Sequence, residues 1–546
     1  MPRCFASPPR IGLVADEPGF ATGPVTFGRY TAVGEVTLHN RAFLMTHVPA
    51  PAGCSDAELL LRCYAWLGPA GVAAAEGMFA LAIMDGTDLV LIRDHVGTRT
   101  MFYARTAGAW VASTSLRTLR RWPGLDTGLH LPAVRSFLTF AYLPGDETLL
   151  RGVHELLPGR CVRLSADGTT TTDVFWEPVE AIDDATPPGR HARNLRALLE
   201  DATVRRLPAA EPVGVLLSGG IDSSLVTALA AKLHDQTVYS YSIHFGTELP
   251  SELAYSGLVA AHCHTRHRVL TVSGDAVAAR LAGTVSMLDS PVGDPLTVPN
   301  LLLAEAVAAD GLRVVLNGEG GDPVFGGPKN LPMLVYELHR EDPDPHDRAN
   351  VYLRSYRKCY QDLPHLLTAE ALAELADAPG PERLVAPYLR PDRMTTLLNQ
   401  LLHANLRTKG AHHILTKVER LTAACGVEGR SPLFDRRVVD HAFTVPPRLK
   451  LAGTAEKWVL KQAVRDLLPS TIVDRPKSGM RVPVQQWLQG PLRDLANDVF
   501  NSGSRGLFRT DTIRSWLRGE GSLYPRQGGK LWLVLTLELW LRSYVD

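Results

Sequence analysis

Two apolar runs, GMFALAIM and LVLIR, flank Asp85-Gly86-Thr87-Asp88, and that pattern predicts a β-hairpin. The hairpin belongs to a first segment of short strand-like stretches that ends near Phe175-Trp176. Residues 182–190, IDDATPPGR, then combine acidic, Pro and Gly residues, the texture of an interdomain linker. Beyond it the period changes. A helix is expected in HARNLRALLEDATVRRL, then a strand and helix in VGVLLSGGIDSSLVTALAAKL (213–233), a strand in SYSIHF and a third in LRVVLNGEGGD. Strands alternating with helices predict an α/β domain with a doubly wound parallel sheet. From Leu331 onward the pattern is mostly helical, broken by Pro-rich turns. The expected organisation is a β-rich domain over 1–182 and an α/β domain with a helical C-terminal region over 191–546.

Length supports two or three cores, since 546 residues exceed what one core organises. The chain is 45% hydrophobic and 21% charged, with no apolar run suited to a bilayer and no secretory signal at MPRCFASPPRIGLV. Seven cysteines without a CxxC pair suit reduced thiols, so a cytoplasmic protein with no membrane partner is expected. Lys+Arg and Asp+Glu both total 57, which argues against a general nucleic-acid binder. Arg greatly outnumbers Lys and no Lys precedes Lys232, so an individual lysine is more informative than usual.

The strongest chemical signal is SGGIDSS. Gly219 and Gly220 let the backbone approach a ligand closely, and the helix that follows turns free N–H groups and its positive end towards it. Ser218, Ser223 and Ser224 add hydroxyls. Asp222 would repel phosphate unless it reached a Mg²⁺ bridging the phosphates. A P-loop, GxxxxGK[ST], is absent. In NGEGGD, Gly318 and two carboxylates, Glu319 and Asp322, fall at the carboxyl edge of the sheet, where open α/β sheets bind ligands. Glu319 is a candidate general base for an attacking amine. HCHTRHR (262–268) invites a zinc reading, but no second ligand cluster is spaced to complete it.

SGGIDSS resembles the pyrophosphate loop of the ATP pyrophosphatases, which implies that ATP is split between its α and β phosphates. LDSPVGDPLTVPN (288–300), LNGEGGDPVFGG (316–327), KVERLTAACGVEGRSPLFD (417–435) and DRPKSGMRVPVQQW (474–487) resemble, in order, the synthetase domain of asparagine synthetase and its relatives. That resemblance implies ATP as co-substrate and Mg²⁺ shared by Asp222 and Asp322. It also implies that Lys477 contacts the acyl-adenylate as a fixed cation, the arrangement that stabilises developing charge. Glu428 matches a family position with two readings open, positioning the nucleophile or pairing with Arg430.

The segment EGMFALAIMDGTDLVLIRDHVGTRTMFY resembles the N-terminal glutaminase of the same family, an Ntn-type domain whose nucleophile is a cysteine exposed as residue one. Here Met1-Pro2-Arg3-Cys4 offers no such cysteine without further processing. The Asn-Gly oxyanion donors have no counterpart either, the nearest stretch being TLHNRAFL around His39 and Asn40. Glutamine hydrolysis is not expected, and the acceptor amine must come from elsewhere. The run GEGGDPVFGGPKN, with Pro323 and Pro328-Lys329-Asn330, resembles the lasso peptide cyclases. β-Lactam synthetases carry tyrosine at the position of Glu319. The resemblance implies an ATP-dependent, AMP-forming carbon–nitrogen ligase that adenylates an Asp or Glu side chain of a linear core peptide. The peptide's N-terminal amine then closes a macrolactam, with a leader peptidase and a leader-recognition protein as associated partners. The alternatives are an ammonia-dependent amide ligase, a β-lactam synthetase-like enzyme, and a catalytically silent nucleotide-binding scaffold.

Overall fold

A computed structural model describes the chain except residues 1–2, 9, 15–17, 107, 247–251, 328–332, 336–347, 357, 453–454, 477–478, 502–504, 521–528 and 546. Eleven of its strands build the first half: β1 (Arg3–Ser7), β2 (Arg10–Val14), β3 (Val25–Phe27), β4 (Tyr30–Leu38), β5 (Gly77–Asp85), β6 (Asp88–Arg93), β7 (Phe102–Thr106), β8 (Ala109–Ser113), β9 (Val153–Glu155), β10 (Arg160–Leu164) and β11 (Thr170–Val174). They form two antiparallel sheets, in the orders β2-β1-β8-β7-β9 and β11-β10-β6-β5-β4-β3. Ala80, Ala82, Leu89 and Leu91 from one sheet meet Cys4, Ala6 and Ala112 from the other. Alanines recur along these strands because two closely packed sheets leave little room between them. The helix Asp56–Leu67 covers the opposite face of the six-stranded sheet, setting Leu59, Leu60 and Leu61 against Phe79, Leu81 and Ile83. Buried on both faces, β5 and β6 read as continuous apolar runs. Their connection is the expected tight hairpin: Asp85 pairs with Asp88, and Gly86 adopts φ 65°.

The second half is organised by a parallel sheet of five strands: β12 (Val213–Leu216), β13 (Val238–His244), β14 (Arg266–Thr271), β15 (Val314–Leu316) and β16 (Glu428–Arg430), in the order β14-β13-β12-β15-β16. The helix after the linker starts at Pro188 and runs to Val204, because proline's fixed φ suits a first helical turn. The order reverses beside β12, so the ends of β12 and β15 diverge around a crevice, the place where such sheets hold ligands. In the helical C-terminal region, helix Gly529–Tyr544 packs against helix Gly274–Met287 and buries Trp532 and Trp540. Among the described residues no helix is long and apolar enough to cross a membrane.

Candidate active site

β12 delivers Leu217, Ser218, Gly219 and Gly220 to the start of helix Ile221–Leu233. Gly219 has φ 79°, and a Cβ there would lie 2.7 Å from Ser256 N, so only glycine fits. Ser223 Oγ accepts from Ser218 N at 3.1 Å and lies 3.0 Å from Ser218 Oγ, which folds the loop over the helix N-terminus. Ser218, Gly220, Asp222 and Ser223 line the cavity. Ser224, one residue further round the helix, is fully buried, and the residues that line the cavity do not include it.

The loop after β15 packs directly on this turn. A Cβ at Gly318 would lie 2.4 Å from Ser223 N, and one at Gly321 would lie 2.1 Å from Asp222 Oδ1. These glycines bring Asp322 alongside Asp222, although a hundred residues separate the two. Between them stands Lys457, missed in the sequence. Its Nζ lies 2.5 Å from Asp222 Oδ2 and 2.6 Å from Asp322 Oδ1, and its side chain is fully buried. Lys457 has φ 55° and immediately precedes helix Trp458–Ala463, so a left-handed backbone aims the ammonium into the loop. The scarcity of lysine in a chain whose usual cation is Arg was the only sequence signal for it. Among the described residues no cluster of three or more His, Cys, Asp or Glu could hold a metal. Two facing carboxylates are nevertheless the donor set used for Mg²⁺ when phosphates and water complete the shell.

Two adjoining cavities, about 440 and 280 Å³, open over the loop and share Leu217, Ser218, Ser242, Glu252, Arg475 and Met480. Arg475, also missed, stacks its guanidinium 3.8 Å from the Tyr255 ring centre. It donates to Gly219 O at 3.2 Å and to Glu252 Oε1 at 2.6 Å. Arg475, Pro476, Gly479 and Met480 therefore stand in the cavity wall. Lys477 itself and Pro328-Lys329-Asn330 lie outside the described residues.

Glu319 is half-buried in the wall of the smaller cavity, near Asn317, Asn300 and Lys417. Lys417 Nζ donates to Asp294 Oδ2 at 2.6 Å. Burial opposes its charge, but Asp294 and then Glu319 outweigh it and raise its pKa above the usual lysine value. Lys417 follows a nine-residue π-helix, Leu406–Ile414, and such helices gather at functional sites. Glu428 does not reach the cavity. It is held by Arg430 at 2.6 Å and by Arg99 of the first domain at 2.6 Å, so of its two readings the geometry matches the pairing one.

In the first domain Cys4 is an interior residue of β1, 1% exposed, and burial followed by the nearby Glu35 pushes its thiol up to about 12. A buried thiol held this far from ionising has little thiolate at neutral pH and is a poor nucleophile. Asn40 bonds its side chain to Glu76 N and Ala74 O. The interface beneath Cys4 is filled with buried ion pairs: Arg3 with Glu35 at 2.8 Å and Glu419 at 3.1 Å, and Arg420 with Asp289 at 2.9 Å.

The comparisons agree with this geometry. The asparagine synthase family model matches residues 194–542, and a glutamine amidotransferase domain model matches 39–176. A Mycobacterium bovis protein described as a glutamine-hydrolysing asparagine synthetase is 29% identical, over 95% of this chain and 85% of that protein. The glutamine-hydrolysing asparagine synthetase 1 of Bacillus subtilis is 24% identical, over 89% and 80%. The carboxyethyl-arginine β-lactam synthase of Streptomyces clavuligerus is 28% identical, over 82% and 73%. The chain belongs to the asparagine synthase family of ATP-dependent carbon–nitrogen ligases.

Proposed function

We propose that this ligase is a macrolactam-forming cyclase of the lasso peptide type, acting on a linear peptide with its own amine as acceptor. The observation that carries the reading is the state of the first domain: Cys4 is locked in a strand and ion pairs fill the ground beneath it. A ligase that keeps its acid-activating site and lacks an ammonia source needs an amine from elsewhere, and a peptide N-terminus supplies one.

ATP fits across the two cavities with its pyrophosphate over Ser218, Gly220 and Ser223. Asp222 and Asp322 would hold Mg²⁺ against the phosphates, where the ion would screen their charge. Lys457, now between those carboxylates, is within reach of the same phosphates. An Asp or Glu carboxylate oxygen of the peptide attacks the α-phosphorus, and the bond to pyrophosphate breaks. The peptide amine then attacks the acyl carbon, Glu319 accepts the amine proton, and the carbon–oxygen bond to AMP breaks. Glu319 suits the base because it lies in the cavity wall beside the loop that binds the leaving groups. Lys417 keeps a fixed positive charge close to it.

Incubation with ATP, Mg²⁺ and a linear peptide bearing an internal Asp or Glu tests the proposal. Cyclisation should release AMP and pyrophosphate with loss of one water from the peptide. The relatives named as asparagine synthetases favour a second reading, amide formation with ammonia instead of a peptide amine, and the same assay with ammonium decides between them.

A further inference from the structure

Glu428 is gripped from both halves of the chain. Arg99 Nη2 donates to Oε1 at 2.6 Å and Thr37 Oγ1 donates to it at 2.9 Å, both from the first domain. Arg430 closes on Oε2 through Nε at 3.0 Å and Nη2 at 2.6 Å. Arg99 is itself fixed. The fully buried Asp94 accepts the backbone N–H groups of Val96, Gly97, Thr98 and Arg99, and Arg93 Nε donates to Arg99 O. A loop gathered around one carboxylate in this way presents its last side chain rigidly.

On its other side Glu428 opens β16, which pairs in register with β15: Glu428 with Val314, Gly429 with Val315, Arg430 with Leu316. The pairing continues past the strand. Arg430 O accepts from Asn317 N at 3.1 Å, and Ser431 Oγ donates to Asn317 Oδ1 at 2.7 Å. Asn317 Oδ1 also accepts from Glu319 N at 3.1 Å. Hydrogen bonds and the short covalent stretches of β16 and Asn317 thus join Arg99 to the backbone of Glu319. Glu319 stands between Gly318 and Gly320, the latter at φ 110°, so its backbone direction depends on the contacts and hydrogen bonds of the flanking loop.

We infer that Arg99 and Glu428 are positioning residues, through which the first domain, without glutamine chemistry, fixes the Glu319 loop of the ligase site by way of β16. The catalytic consequence rests on the role proposed above for Glu319; the mechanical link does not, so two measurements separate them. The first is hydrogen exchange of the full chain without substrate. Arg99→Met should speed exchange in residues 314–322 about tenfold, leave β13 (238–244), which does not pair with β15, unchanged, and be reversed by Arg99→Lys. Arg430 and Thr37 still satisfy Glu428 in this variant, so no buried charge is orphaned. Glu428→Gln, which keeps the shape, should show the same localised effect. Unchanged exchange in 314–322 in both variants would overturn the link.

The second measurement is the ratio of pyrophosphate turnover, read as ATP–pyrophosphate exchange, to amide formed. A displaced base should leave adenylation intact and lower amide formation about tenfold or more, so the ratio rises. A merely less stable enzyme would lower both products together and leave the ratio alone, which contradicts a positioning role. Exchange that responds with no amide formed by the wild type would keep the link and refute the proposed reaction instead.

Discussion

Lys457 Nζ lies 2.5 Å from Asp222 Oδ2, a buried cation set on a carboxylate assigned to the phosphate-bridging metal. The same ammonium meets Asp322 at 2.6 Å, so one lysine holds together two carboxylates that would otherwise repel each other.

Lys457→Met should therefore abolish ATP–pyrophosphate exchange, since losing a fixed donor at developing charge costs roughly 10²–10³ in rate. The variant should also gain thermal stabilisation from Mg²⁺ without ATP, because the ion no longer competes with the ammonium. Wild-type exchange in this variant, or in Asp222→Asn, would remove the pair from the phosphate site.

Glu319→Gln should keep ATP–pyrophosphate exchange and slow amide formation by roughly 10²–10⁴, the contribution of a general base to its own step. Loss of both activities in a folded variant would place Glu319 with the nucleotide instead.

The chain should release no glutamate from glutamine, and Cys4→Ala should leave amide formation unchanged. With its pKa pushed up to about 12 by burial and Glu35, Cys4 should also resist alkylation at pH 8. Glutamate release abolished by Cys4→Ala would restore a glutaminase.

How far the chain could be read depended on how local each feature was. β12, its glycine turn and the following helix are contiguous, and the hairpin closed by Asp85 and Asp88 carries its own turn residues. Asp222, Gly318 and Asp322 were legible because motif and sheet edge coincide. Lys457, Arg475 and Lys417 were not, because each acquires its role only when distant segments meet. β16 escaped notice because Glu428–Arg430 is three residues long and has no apolar alternation. Ser224 is buried because the chain has already turned into the helix there, which composition alone does not reveal. The π-helix at Leu406–Ile414 shares its residue types with any α-helix, so only backbone bonding reveals it.

The domain interface should weaken in acid. Glu155 is buried, which opposes its charge, but His412 and Arg93 lower its pKa from 4.5 to about 2. A depressed carboxylate contributes stability that is complete above its unfolded value and lost as pH falls through the folded one. Glu155→Gln should thus be less stable than wild type by roughly 3 kcal/mol at pH 7, and the difference should shrink between pH 4.5 and about 2. Urea unfolding across that range measures it; a difference independent of pH would assign the loss to packing.

The central claim is that the acceptor amine arrives on the substrate itself. Mass spectrometry of a linear Asp- or Glu-containing peptide and its N-acetylated twin, each with ATP and Mg²⁺, tests it most directly. The account predicts that the free peptide loses one water, with one AMP and one pyrophosphate formed from ATP per ring, and that the acetylated one forms no ring even when pyrophosphate is released. Amide formation only after ammonium is added, equal for the two peptides, would contradict it.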